Sequence, residues 1–194
     1  MQVRSKTLPF SVTQTKLAGV LLVEPKVFGD ERGFFFESYN ERDFLSTTGL
    51  NVRFVQDNHS RSKKGVLRGL HYQIDHAQGK LVRVAQGVVF DVCVNLQRKH
   101  PQFGQWTGVL LSGENKRQLW VPPGFAHGFL VLRDDTDVLY KTTDYYSPKD
   151  ERCLKWDDST LAIEWPLDQI DGSEPTLTEK DRAGSSLIHA ETFP

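Results

Sequence analysis

Residues 80–96, KLVRVAQGVVFDVCVNL, alternate with a period of two. From residue 88 onward Val88, Phe90, Val92, Val94 and Leu96 fall on one face, and Val89, Asp91, Cys93 and Asn95 on the other. Gly87 interrupts the stretch and predicts a turn or bulge between two strands. Further β-rich runs occupy 106–111, 118–121, 128–132 and 138–146. Turn chemistry separates them: Ser-Gly-Glu-Asn at 112–115, Pro-Pro-Gly at 122–124 and Asp-Asp at 134–135. Many short strands at close spacing predict an all-β sandwich or barrel. A barrel with a partly polar cavity and a sandwich with one wet face both satisfy the 88–96 pattern, and periodicity alone does not separate them. Two short helices are predicted, one over 40–48 ended by Gly49 and one over 178–184. In the second, Thr178 is the N-cap and Asp181 the third helical residue. No repeat, low-complexity tract or linker divides the chain, which predicts a single domain over residues 1–194.

A chain of 194 residues can build one proper core but not two comfortable ones. With 38% hydrophobic and 25% charged residues it reads as a folded globular protein. A net charge of −1 removes any global electrostatic argument for nucleic acid or an anionic membrane. The thiols Cys93 and Cys153 read as reduced residues of a cytoplasmic protein. The polar stretch 1–19 lacks a signal-peptide pattern, and no apolar run approaches the roughly 20 residues of a spanning helix.

Candidate chemistry clusters in four segments: 56–73 (QDNHSRSKKGVLRGLHYQ), 118–130 (QLWVPPGFAHGFL), 138–151 (VLYKTTDYYSPKDE) and 177–182 (LTEKDR). A metal-binding barrel of the cupin type needs a His-x-His pair, a carboxylate and a later His. His127, just after the Pro-Pro-Gly turn, fits the later His, but His71-Tyr72-Gln73 lacks the second imidazole. Zn²⁺ and Fe²⁺ sites usually take three or more protein ligands, so the expectation is no metal. A metal-free histidine site fits instead. Imidazole titrates near neutrality and serves as a general base when a carboxylate fixes its tautomer. Proton abstraction beside a carbonyl needs that base, a donor for the enolate oxygen, and an acid. Each residue also has an ordinary structural reading. His71 fits as a satisfied strand histidine, His127 as a turn residue, Tyr140 and Tyr146 as strand aromatics, and Asp181 as a helix cap. Residue types and spacing alone reach a β domain with a possible histidine site.

The same segments resemble the dTDP-4-dehydrorhamnose 3,5-epimerase family. The resemblance rests on 29–39 (GDERGFFFESY), 54–73 (FVQDNHSRSKKGVLRGLHYQ), 78–94, 101–106, 112–129 and 140–151. A weaker tail adds 163–166 (IEWP) with 177–181. Long, gap-poor blocks are far more specific than a short motif. The resemblance implies a cupin-like jelly-roll β-barrel, a homodimer that exchanges strands, a dTDP-sugar substrate and no cofactor or metal. It implies His71 as base, Asp181 as its orienting acid, Lys80 as the enolate stabiliser and Tyr140 as the acid. His127 lines the pocket. Substrate and diphosphate contacts fall on Arg32, Glu37, Gln56, Asn58, Arg68, Glu151 and Lys180, and Tyr146 stacks on the base. The implied reaction converts dTDP-4-keto-6-deoxy-D-glucose to dTDP-4-keto-L-rhamnose. The alternatives are an epimerase acting at C3 alone, a non-catalytic sugar-binding barrel and a metal-dependent cupin oxygenase. Arg68 and His71 have opposite parity on an ideal strand, so sharing one pocket requires a bulge at Gly69 or a curved strand.

Overall fold

The computed structural model describes residues 9–170 and 174–194. The first eight residues of the polar N-terminal stretch lie outside the described residues. Thirteen strands and two α-helices follow in order: β1 (Phe10–Gln14), β2 (Leu21–Pro25), β3 (Phe28–Asp30), β4 (Gly33–Phe35), α1 (Glu41–Thr48), β5 (Gln56–Ser62), β6 (Leu67–Gln73), β7 (Lys80–Gln86), β8 (Val88–Asn95), β9 (Trp106–Ser112), β10 (Gln118–Val121), β11 (Phe125–Val131), β12 (Thr136–Thr142), β13 (Glu151–Cys153) and α2 (Glu179–Arg182). A short 3₁₀ turn spans Leu167–Ile170.

One sheet has six strands in the order β1-β2-β10-β7-β12-β5, the other five in the order β13-β6-β11-β8-β9. All pairings within them are antiparallel. From β5 to β13 the chain crosses between sheets at every connection except the β8–β9 hairpin. The sheets share no strand among the described residues, so the barrel is a flattened, open one. Val82, Val84, Leu119, Val121 and Val138 of the six-stranded sheet meet Cys93, Leu111, Phe125, Phe129 and Val131 of the other. Burying each such side chain contributes about 1.5–3 kcal/mol before entropy is counted.

Both outer faces are covered as well. The C-terminal segment lays Leu154, Leu161, Trp165 and Leu187 against Leu70, Val92, Val94 and Leu96. The helix α1 brings Phe44 to Phe10, Val23, Leu81 and Trp120. The sandwich with a wet face is thereby excluded for β8. Its uniformly apolar face packs under the C-terminal segment, and its other face, with Asp91 and Asn95 fully buried, looks between the sheets.

The glycine signals acted as expected, and α1 starts one residue later than expected. Asn40 caps α1 by accepting the Asp43 N–H at 3.2 Å, and Gly49 ends it at φ 73°. Gly87 joins β7 to β8 at φ 81°, where any Cβ would lie 2.1 Å from the Thr136 hydroxyl. Two strands differ in their bounds: β12 spans Thr136–Thr142 rather than 138–146, so Tyr146 follows the strand instead of lying in it, and β11 begins at Phe125 rather than at 128, so His127 is a strand residue and not a turn residue. The Pro-Pro-Gly turn ends sooner than its composition suggests because Phe125 and Ala126 are already drawn into the core.

Candidate active site

A cavity of about 470 Å³ opens between the sheets. Strand alternation supplies its walls. β5 contributes Gln56, Asn58 and Ser60, which share one face at a spacing of two. β6 contributes Arg68 and His71, β7 Lys80, β11 His127, β12 Tyr140 and β13 Glu151. Tyr146 follows β12, and Lys180 and Asp181 arrive on α2.

The bulge at Gly69 is present. His127 pairs with His71 and Phe129 with Arg68, so two steps on β11 oppose three on β6. Gly69 sits at φ 118°, and a Cβ there would lie 2.6 Å from the Gly128 Cα, so glycine alone fits. The extra residue turns Arg68 and His71 to the same cavity.

His71 Nε2 lies 2.7 Å from Asp181 Oδ1. The contact does not have regular hydrogen-bond geometry at Nε2. The carboxylate is fixed elsewhere: Oδ1 accepts the Gly69 N–H at 3.2 Å and Oδ2 the Thr178 hydroxyl at 2.6 Å. Burial alone would raise the Asp181 carboxyl, but His71, Thr178 and Gly69 outweigh it and hold it down at about 2. Thr178 also caps α2 through the Asp181 N–H, so one residue sets both the helix and the acid. The capping reading and the functional reading of Asp181 are therefore one geometry.

Lys80 is buried, and burial pushes its ammonium down to about 8 against the pull of Asp91 and Glu151. Its Nζ reaches the His71 carbonyl at 3.4 Å, across from the other sheet. Burial raises the Tyr140 phenol, so it holds its proton at neutral pH. His71 and Tyr140 stand on facing sheets with the cavity between them. At the rim Glu151 Oε2 pairs with Lys180 and accepts the Tyr146 hydroxyl at 2.6 Å. Gln56 accepts the Tyr146 N–H at 3.1 Å and donates to Asn58 at 2.9 Å. Arg68 reaches Ser62 at 3.1 Å, whereas Arg61 of the same basic run turns away to Asp137.

Two expected contacts stand elsewhere. Arg32 lies in the turn of the β3–β4 hairpin, bound to Asp30 at 2.5 Å and exposed beside Phe34 and Phe35. Glu37 contacts Asn40 at 3.3 Å and does not line the cavity. The hairpin carries its apolar rings outward, away from its own chain's site.

The sequence reading passed over two residues. Asp91, fully buried, binds His127 Nε2 with both oxygens at 2.9 and 3.0 Å. A lone carboxylate inside an apolar strand was the signal, since a buried charge needs a partner. Ser60 lines the cavity with a buried hydroxyl that has no hydrogen-bond partner among the described residues. As for metal donors, His71, Cys153 and Asp181 place one ligand atom each within 4.8 Å of one another.

An open antiparallel barrel enclosing a histidine–carboxylate pair, a buried cation and a phenol is that of a cupin-like isomerase. The dTDP-4-dehydrorhamnose 3,5-epimerase family model matches residues 14–189, and the chain belongs to that family. It is 58% identical over 182 residues to the dTDP-4-dehydrorhamnose 3,5-epimerase of Pseudomonas aeruginosa, covering 94% of this chain and 98% of the relative. The Salmonella typhimurium enzyme of the same name is 57% identical over 180 residues, covering 92% and 96%. A crystal structure of dTDP-6-deoxy-D-glucose-3,5-epimerase from Legionella pneumophila, in complex with dTDP-4-keto-L-rhamnose, superposes with a TM-score of 0.90. It shares 50% identity and covers 94% of this chain and 95% of that one.

Proposed function

We propose that this chain epimerises dTDP-4-keto-6-deoxy-D-glucose at C3 and C5 to dTDP-4-keto-L-rhamnose, without metal or cofactor. The observation that carries the reading is the placement of His71 and Tyr140 on facing sheets across one cavity. Inversion at carbon needs a proton taken from one face and returned to the other. A C4 ketone acidifies the hydrogens at both C3 and C5, so one base and one acid serve the two positions in turn.

In this reading His71 removes the proton and Asp181 stabilises the imidazolium that results. Lys80, charged below about 8, meets the enolate oxygen in a site shielded from water. Tyr140 returns a proton to the opposite face. Arg68 and Lys180 offer charge to the diphosphate, and Tyr146, half exposed at the rim, offers a ring to the base. His127 and Glu151 complete the lining, with Gln56 and Asn58 as polar contacts.

The chain acts in the cytoplasm as one domain, and as a homodimer. Exposed Phe28, Phe34 and Phe35 on the β3–β4 hairpin suit a second copy, which also gives Arg32 and Glu37 a route to a site they do not reach in their own chain. Among the described residues no helix is long and apolar enough to cross a membrane.

Wash-in of deuterium from heavy water, read by NMR at each carbon, tests the chemistry. Exchange is expected at C3 and C5. Exchange at C3 alone supports the mono-epimerase instead, and no exchange with intact dTDP binding supports a sugar-binding barrel. The Tyr140→Phe variant is expected to keep some exchange but to yield little inverted product.

A further inference from the structure

We propose that the Asp181 end of the cavity is also a binding site for a thiophilic divalent cation such as Zn²⁺, held by His71, Cys153 and Asp181. Three separate elements bring these donors together. Cys153 of β13 is the register partner of His71 on β6, so the two side chains stand side by side on one face of the sheet. The helix α2 delivers Asp181 to the same point, with Oδ1 2.7 Å from His71 Nε2. One nitrogen, one sulfur and one oxygen fall within 4.8 Å of one another. Ligand bonds of roughly 2.0–2.3 Å place tetrahedral ligands about 3–4 Å apart, so only small side-chain movement is needed to close on an ion.

The donor set selects the metal. An imidazole with a thiolate favours Zn²⁺ and Cd²⁺ over Mg²⁺ and Ca²⁺, which prefer oxygen. Three protein ligands beside an open cavity leave a fourth position for water. In the free protein Cys153 is a neutral thiol, because burial and the Asp181 carboxylate push it up to about 12. Binding therefore releases its proton to solvent as the sulfur–metal bond forms. The other thiol, Cys93, is fully buried in the core between the sheets and lies outside the cluster. Cys153 itself does not line the cavity. A cation here replaces the Asp181 contact that orients the imidazole for the proposed reaction, so the site makes the enzyme sensitive to zinc. That consequence, unlike the binding, rests on His71 being the base.

Binding and inhibition are separable. Adding Co²⁺ to the purified protein is expected to produce a sulfur-to-metal charge-transfer band in the near ultraviolet at one ion per chain, absent in Cys153→Ser. Zn²⁺ displaces it and Mg²⁺ does not. Zn²⁺ is expected to suppress C3 and C5 exchange reversibly, with recovery on chelation. Cys153→Ser retains basal exchange and needs at least about tenfold more Zn²⁺ for half inhibition, as expected for loss of a ligand. No charge-transfer band, a band that survives in Cys153→Ser, or equal inhibition by Mg²⁺ overturns the site. A band lost in Cys153→Ser with exchange untouched by Zn²⁺ upholds the site and removes His71 from the role of base.

Discussion

Two of the histidine–carboxylate pairs among the described residues, those of His71 and His127, have their imidazoles on neighbouring strands and differ in what surrounds them. His71 and Asp181 join a strand to a helix 110 positions later, and the imidazole keeps 29% of its side-chain surface exposed to the cavity. His127 and Asp91 sit on adjacent strands of one sheet, exposed by only 6% and 0%. Their registers make His71 and His127 direct cross-strand partners. The same two functional groups thus serve opposite ends. A pair with its imidazole open to the cavity can exchange protons with a substrate, while a pair buried in the cavity wall mainly keeps a polar group satisfied away from water.

Breaking each pair should separate these roles. The largest effect is expected from His71→Ala, which lowers proton exchange by roughly 10²–10⁴-fold, the span of general-base catalysis. Its urea midpoint should move less than that of His127→Ala, because Asp181 keeps the hydrogen bonds it accepts from the Gly69 N–H and the Thr178 hydroxyl. The reverse is expected of His127→Ala. Leaving Asp91 buried without its partner costs about 3–5 kcal/mol, read from the shift in urea unfolding. If His127→Ala folds as stably as the parent yet loses exchange, the contrast between the two pairs is wrong.

The pH profile sharpens the contrast further. Lys80 is useful to an enolate only while charged, so exchange is expected to fall as pH rises through about 8, and Lys80→Arg should remove that limb. The sign for stability is opposite. Between about 8 and the roughly 10.4 of an unfolded lysine, the unfolded chain binds more protons than the folded one, so this group makes stability rise with pH. A basic limb unchanged in Lys80→Arg would assign it to another residue. The smallest effect belongs to Ser60→Ala. One neutral hydrogen bond is worth about 0.5–1.5 kcal/mol, so KM for the sugar nucleotide should rise roughly two- to tenfold with kcat held. An unchanged KM would show that the orphan hydroxyl meets no substrate atom.

What was legible in the sequence was local. The Thr178 cap, the end of α1 at Gly49 and the 118–121 strand are each set by a few neighbouring residues. Even the bulge at Gly69 was one of the two outcomes parity allowed once Arg68 and His71 were required to share a pocket. The partnership of Asp91 with His127 was not legible, because alternation says which residues share a face but not whether that face meets water. Asp91 and Asn95 resembled a wet face until the second sheet was laid over them. Arg32 and Glu37 do not line the cavity of their own chain, Arg32 standing on the exposed β3–β4 hairpin, a placement that residue type and spacing do not give. Cys153 read in the sequence only as a reduced thiol, because its neighbours His71 and Asp181 come from β6 and α2, far away along the chain.

The shuttling of the chain between sheets bears on how turnover should respond to damage. Consecutive crossings place the proposed base and acid on opposite walls and bring in a late helix to finish the pocket. His71, Lys80, Tyr140 and Asp181 each stand on a different element, and the set is complete only when β6, β7, β12 and α2 have all been brought together. Split halves or truncated forms should therefore be inert rather than feeble, and loss of catalysis on heating should coincide with the cooperative melting of the whole barrel, making turnover itself a reporter of intact tertiary structure.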